Sequence, residues 1–113
     1  MMSASTDTPM EIDVTTLRDR LASEAPPLVV DVREPWEVEI AALDGVLAIP
    51  LNDLPRRAGE IPTDRPVAVM CHHGGRSAMA TGWLRQNGYA QAMNVAGGID
   101  AWSRVVDPST PRY

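Results

Sequence analysis

VAVMCHHGGRSAMATGWL, residues 67–84, passes from an apolar run through a crowded polar turn into helical periodicity. The run, extended back to Pro66, reads as a strand buried on both faces. From Ser77 onward, Met79 with Trp83 and Ala80 with Leu84 stand four apart, which predicts a helix with these residues on its core face. Between strand and helix lie the only cysteine of the chain, both of its histidines, two adjacent glycines and an arginine. A strand, a tight turn and a helix in that order form the unit of an α/β fold.

The same alternation extends in both directions. Upstream, LVVDV (28–32) is a second Val-rich buried strand, and Pro35 suits the first turn of the next helix. On that helix Trp36 and Ile40 are expected to share one side. MEIDV (10–14) predicts a short strand, Asp13 with Thr16 an N-terminal cap, and Leu17 with Leu21 an apolar helix face. VLAIP (46–50) is a further short strand, and Asn52 or Asp53 can cap a brief helix after it. Downstream, Asn87-Gly88 stops the long helix, AQAMNV (90–95) is a last strand, and GGIDAW (97–102) turns into a short helix. Strands alternating with helices predict a three-layer α/β domain, a mostly parallel central sheet with helices on both faces. Residues 1–9 and 108–113 are expected to be tails, the first disordered, on either side of one domain at 10–107.

Composition narrows the chemistry. The 113 residues carry a net charge of −5, and every basic residue is Arg. A nucleic-acid partner is not expected, because phosphate binding needs a basic face. Lysine nucleophiles, Schiff bases and P-loop lysines are excluded outright. The N-terminus lacks the basic and apolar regions of a signal peptide, and no stretch approaches the ~20 apolar residues of a membrane span. A cytoplasmic protein without a membrane partner is therefore expected.

Cys71 falls at the carboxyl end of a strand, where ligands sit in open α/β sheets. A tight strand–loop–helix turn aims backbone N–H groups at one point, and the helix N-terminus adds partial positive charge. A thiolate there has its pKa drawn from about 8.5 into the range of about 3.5–7.5. Gly74 and Gly75 give the loop backbone freedom, Arg76 adds a cation at its far end, and Ser77 can cap the helix. The plainer reading is that a lone cysteine packs as a small hydrophobe; against it, Cys71 comes after the apolar run and precedes polar residues. A zinc site is not expected: CHH offers donors on adjacent residues whose side chains diverge, and no second cluster completes a shell of about four ligands. His72 and His73 then read as loop residues, one exposed and one packed beneath the loop.

DVREPWEVEI (31–40), CHHGGRS (71–77) and GGIDAW (97–102), in this order and spacing, resemble a single-domain rhodanese, a rhodanese-like sulfurtransferase, over about residues 10–107. The resemblance implies that Cys71 takes a sulfane sulfur from a donor such as thiosulfate. The persulfide would be held by the backbone of His72, His73, Gly74, Gly75, Arg76 and Ser77, and then passed to cyanide or a thiol. It also implies a thiol acceptor or sulfur-relay protein as partner, no cofactor and no metal. Arg76 would help to hold the anionic donor, with Asp31 and Arg33 bracing the loop from the neighbouring strand. The chain departs from the family at ALDGV (42–46), where members commonly carry HIPGA. The same fold hosts cysteine phosphatases and arsenate reductases, but those loops have the pattern C-x5-R, whereas Cys71 to Arg76 is C-x4-R. A rhodanese-fold module that binds without catalysis is the other alternative, although such domains typically lose the loop cysteine.

Overall fold

The computed structural model describes residues 8–113. The expected disorder of residues 1–9 thus lies, up to Asp7, outside the described residues.

Among the described residues, five strands form one sheet: β1 (Glu11–Ile12), β2 (Leu28–Asp31), β3 (Leu47–Ala48), β4 (Val67–Met70) and β5 (Ala92–Val95). Their order across the sheet is β1-β5-β4-β2-β3, and every described pair is parallel. The helices are α1 (Val14–Leu21), α2 (Pro35–Ile40), α3 (Leu54–Arg57), α4 (Gly75–Gln86) and α5 (Gly98–Ala101). The α/β expectation is met, with the sheet wholly parallel where a mostly parallel one was expected.

Strand periodicity divides the core between the two sheet faces. Val30, Val67, Val69 and Ala92 join Leu54, Ala80 and Leu84 on one face. Val29, Ala68, Met70, Met93 and Val95 join Leu17 and Ile99 on the other. Cys71 belongs to the first cluster, one step past the end of β4. Central strands buried on both faces explain why β2 and β4 read as continuous apolar runs.

Local signals held where a backbone group needed a partner. Asp13 caps α1, accepting from the Thr16 N–H at 2.7 Å, and Pro35 opens α2. Gly88, at φ +98°, comes directly after the α4 C-cap Asn87. Periodicity was less dependable. Ala80 and Leu84 face the core but Met79 is 64% exposed, while the side that Trp36 and Ile40 were expected to share is an outer one, at 59% and 41%. An i,i+4 apolar pair sets a shared face but not which way that face turns. The helix after Cys71 starts at Gly75, and its cap position is Gly74 at φ +110°. Ser77, expected as the cap, lies inside the first turn and is fully buried.

Candidate active site

Met70 ends the ladder of β4, so the chain leaves the sheet at Cys71 with its side chain on the α4 face. The loop beyond it curls into a ring of donors around one sulfur. Cys71 Sγ accepts the N–H of Gly74 at 3.1 Å, the N–H of Ser77 at 3.4 Å and the hydroxyl of Ser77 at 3.2 Å. The positive φ of Gly74 allows this curl, and it is the backbone conformation rather than crowding that favours glycine there. Because α4 runs for twelve residues, its N-terminal partial charge also acts on the sulfur.

The carbonyls of the loop face the other way, held by the start of α5. Ile99 N–H donates to Cys71 O at 2.9 Å, and Asp100 N–H to His72 O at 3.0 Å. This contact is why the second glycine of GGIDAW is required. Gly98 has φ +59°, and a Cβ on it would lie 2.7 Å from the His72 carbonyl carbon. The Gly74 and Ser77 N–H groups thus turn to the sulfur, while the Cys71 and His72 carbonyls turn to α5.

Burial opposes charge on Cys71, which keeps only 1% of its surface exposed. The hydrogen bonds from Ser77, Gly74 and the Arg76 backbone outweigh it and hold the thiol below its ordinary pKa. The site can therefore favour a thiolate at a buried sulfur.

Arg76 sits elsewhere than a free donor clamp would. Its Nη1 and Nη2 donate to Glu37 Oε1 and Oε2 at 2.6 and 2.8 Å, a bidentate pair. The Glu37 carboxylate also accepts from the Glu34 N–H at 3.1 Å and from Tyr113 OH at 2.8 Å. Chiefly through Arg76, and against its own burial, its pKa falls to about 2. Arg76 is correspondingly raised above the usual guanidinium value.

Asp31 and Arg33 are fully buried and joined at 2.6 Å. Arg33 also donates to Ala41 O at 2.7 Å and to Tyr113 OH at 2.9 Å. Their link to the loop is indirect, through Tyr113 and Glu37 rather than by contact with loop atoms.

The histidines correct the expectation of diverging side chains. Their rings stack with centroids 3.9 Å apart, and Tyr113 stacks on the outer side of His72 at 4.0 Å. Burial, with His73 adding to it, lowers the pKa of His72. The rings also approach Asp100, with donor atoms of all three residues within 4.8 Å of one another. Both Asp100 oxygens are already covered, by Arg104 at 2.9 Å and Arg112 at 3.2 Å. Two guanidiniums on one carboxylate leave local positive charge, which sets the cluster against a cation. Tyr113, placed in a C-terminal tail on sequence grounds, is thereby part of the rim of this site.

Glu37, Tyr113 and Asn94 escaped the residue reading. Glu37 had a signal, since a glutamate three residues past Glu34 fits a helix-start pattern. Tyr113 had none. Asn94 was visible only as the one polar residue in an apolar strand; only 4% of it is exposed, and it is hydrogen-bonded to Ser77.

Sequence and fold both resemble known proteins. The family model for the rhodanese-like domain matches residues 13–105. A sulfurtransferase of Allochromatium vinosum is 42% identical over 94 residues, covering 83% of this chain and 88% of the relative. The adenylyltransferase and sulfurtransferase uba4 of Ogataea parapolymorpha is 32% identical over 105 residues, 92% of this chain but 27% of that longer protein. The crystal structure of a rhodanese-like domain protein from Staphylococcus aureus superposes with a TM-score of 0.81 at 27% identity, covering 93% of this chain and 99% of that one. A cysteine at the focus of its loop's N–H groups, on a parallel α/β frame with these relatives, fits one conclusion: the chain belongs to the rhodanese-like sulfurtransferase family.

Proposed function

We propose that Cys71 carries sulfane sulfur as a persulfide between a small donor and a thiol or cyanide acceptor. The observation that carries this reading is the convergence of the Gly74 and Ser77 N–H groups and the Ser77 hydroxyl on Cys71 Sγ within a C-x4-R loop. The Cys71 thiolate attacks the outer sulfur of thiosulfate, the S–S bond breaks, and sulfite leaves with the bonding pair. The persulfide's terminal sulfur carries the charge, and the same inward dipoles stabilise it. An acceptor nucleophile then removes that sulfur and restores the thiolate. His72 to Ser77 act through their backbone, and Ser77 through its hydroxyl as well. Asp31, Arg33 and the Glu37–Arg76 pair hold the frame.

Thiosulfate serves as the test donor, with a relay protein's persulfide as the other source of the same sulfur. Intact mass after exposure to thiosulfate is expected to rise by one sulfur atom, to return on adding cyanide, and to stay fixed in Cys71→Ser. A wild-type protein that takes up no sulfur from thiosulfate or from glutathione persulfide would leave binding, not transfer, as the function of the fold.

A further inference from the structure

The Ser77 hydroxyl has two acceptors and one proton. Its oxygen is 2.5 Å from Asn94 Oδ1 and 3.2 Å from Cys71 Sγ. The orientation of Asn94 is fixed from its other side, where Nδ2 donates to Glu11 Oε2 at 3.0 Å. A carboxylate only accepts, so the amide nitrogen must face Glu11 and the amide oxygen must face Ser77. Both Ser77 and Asn94 are buried, so each depends on partners within the protein.

We propose that Asn94, oriented by Glu11, is a positioning residue that draws the Ser77 proton away from Cys71 and so favours the sulfur-loaded cysteine over the bare thiolate. The proposal rests on the persulfide reading above. With Cys71 as a thiolate, the hydroxyl turns to the sulfur, and Asn94 Oδ1 is left buried without its donor. Loading proceeds as Cys71–S⁻ + S₂O₃²⁻ → Cys71–S–S⁻ + SO₃²⁻. It moves the negative charge from Sγ to the new terminal sulfur. Sγ is then a poor acceptor, and the hydroxyl returns to Asn94. The backbone N–H groups of the loop are fixed donors; the Ser77 hydroxyl is the adjustable one.

Several charged groups surround this chain of bonds. Arg76 of α4 acts on the sulfur but is held by Glu37 of α2. His72 and His73 stack at the rim, with Asp100 of α5 facing His72. Glu11 of β1 reaches the sulfur only through Asn94 and Ser77.

The test compares alkylation of Cys71 against pH, and the loaded fraction by intact mass in a fixed thiosulfate–sulfite mixture. Asn94→Leu is expected to lower the alkylation inflection by about half a unit or more, the scale of one buried hydrogen bond. Glu11→Gln, which lets the amide of Asn94 turn over, is expected to move it the same way by less. The loaded fraction is expected to fall in both. In a Ser77→Ala background the Asn94→Leu shift should vanish. An inflection equal to or above that of wild type in either folded variant overturns the proposal, as does a shift that survives Ser77→Ala. Should Asn94→Leu fail to fold, Glu11→Gln decides, since Glu11 is at an exposed position. A wild type that never gains sulfur overturns the transfer reading and with it the loading preference, while the alkylation comparison still decides whether Asn94 draws the Ser77 proton from Cys71.

Discussion

The two loops at the carboxyl edge of the sheet, after β2 and after β4, handle charge in opposite ways. After β2, charge is met by charge: Asp31 pairs with Arg33, and Glu37 of α2 pairs with Arg76. After β4, the sulfur of Cys71 is met by dipoles, two backbone N–H groups and a hydroxyl. Arg76, the guanidinium nearest in sequence, is turned to Glu37 and leaves the sulfur to the backbone. A buried ion pair fixes a frame but adds little reactivity, because its charges are spent on each other. A ring of N–H groups stabilises whichever sulfur carries the charge. On the proposed function, the first loop contributes stability and the second contributes chemistry.

The largest effect should come from breaking the β4 loop where α5 holds it. Gly98→Ala forces a Cβ onto the His72 carbonyl at a left-handed backbone position. Urea denaturation should show a loss of about 2–4 kcal/mol, together with loss of the lowered thiol pKa. Unchanged stability and reactivity would mean that α5 does not pin the loop.

A smaller effect should come from the frame. Glu37, normally near 4.5, is depressed to about 2, so its pairing stabilises the fold above its unfolded pKa. That stability is lost as the pH falls through the window from about 4.5 to about 2. Glu37→Gln should flatten the acid decline of stability in this window while lowering stability at neutral pH. It should shift the Cys71 alkylation profile far less than Gly98→Ala does. Equal shifts from the two variants would erase the division between the loops.

Much of this arrangement was legible in the residues. The runs VVDV and VAVM had to be strands because their residues face apolar layers on both sides, and the glycines of CHHGGRS marked the curl. Spacing cannot report which distant side chain meets which. Arg76 looked free because its partner lies 39 positions earlier in sequence. The two histidines were expected to diverge, as neighbours do on a strand, but the turn swings both rings to one side. Tyr113 read as part of a tail, since nothing local dictates that this segment returns to the sulfur loop.

Hydrogen bonds from the Ser77 hydroxyl and the loop N–H groups outweigh burial and favour the thiolate of Cys71. Its rate of alkylation by iodoacetamide, measured from pH 5 to 10 on the wild-type protein, tests this most directly. An inflection below the ordinary thiol value of about 8.5 is predicted; one at or above that value would mean that burial wins and that the loop does not activate its cysteine.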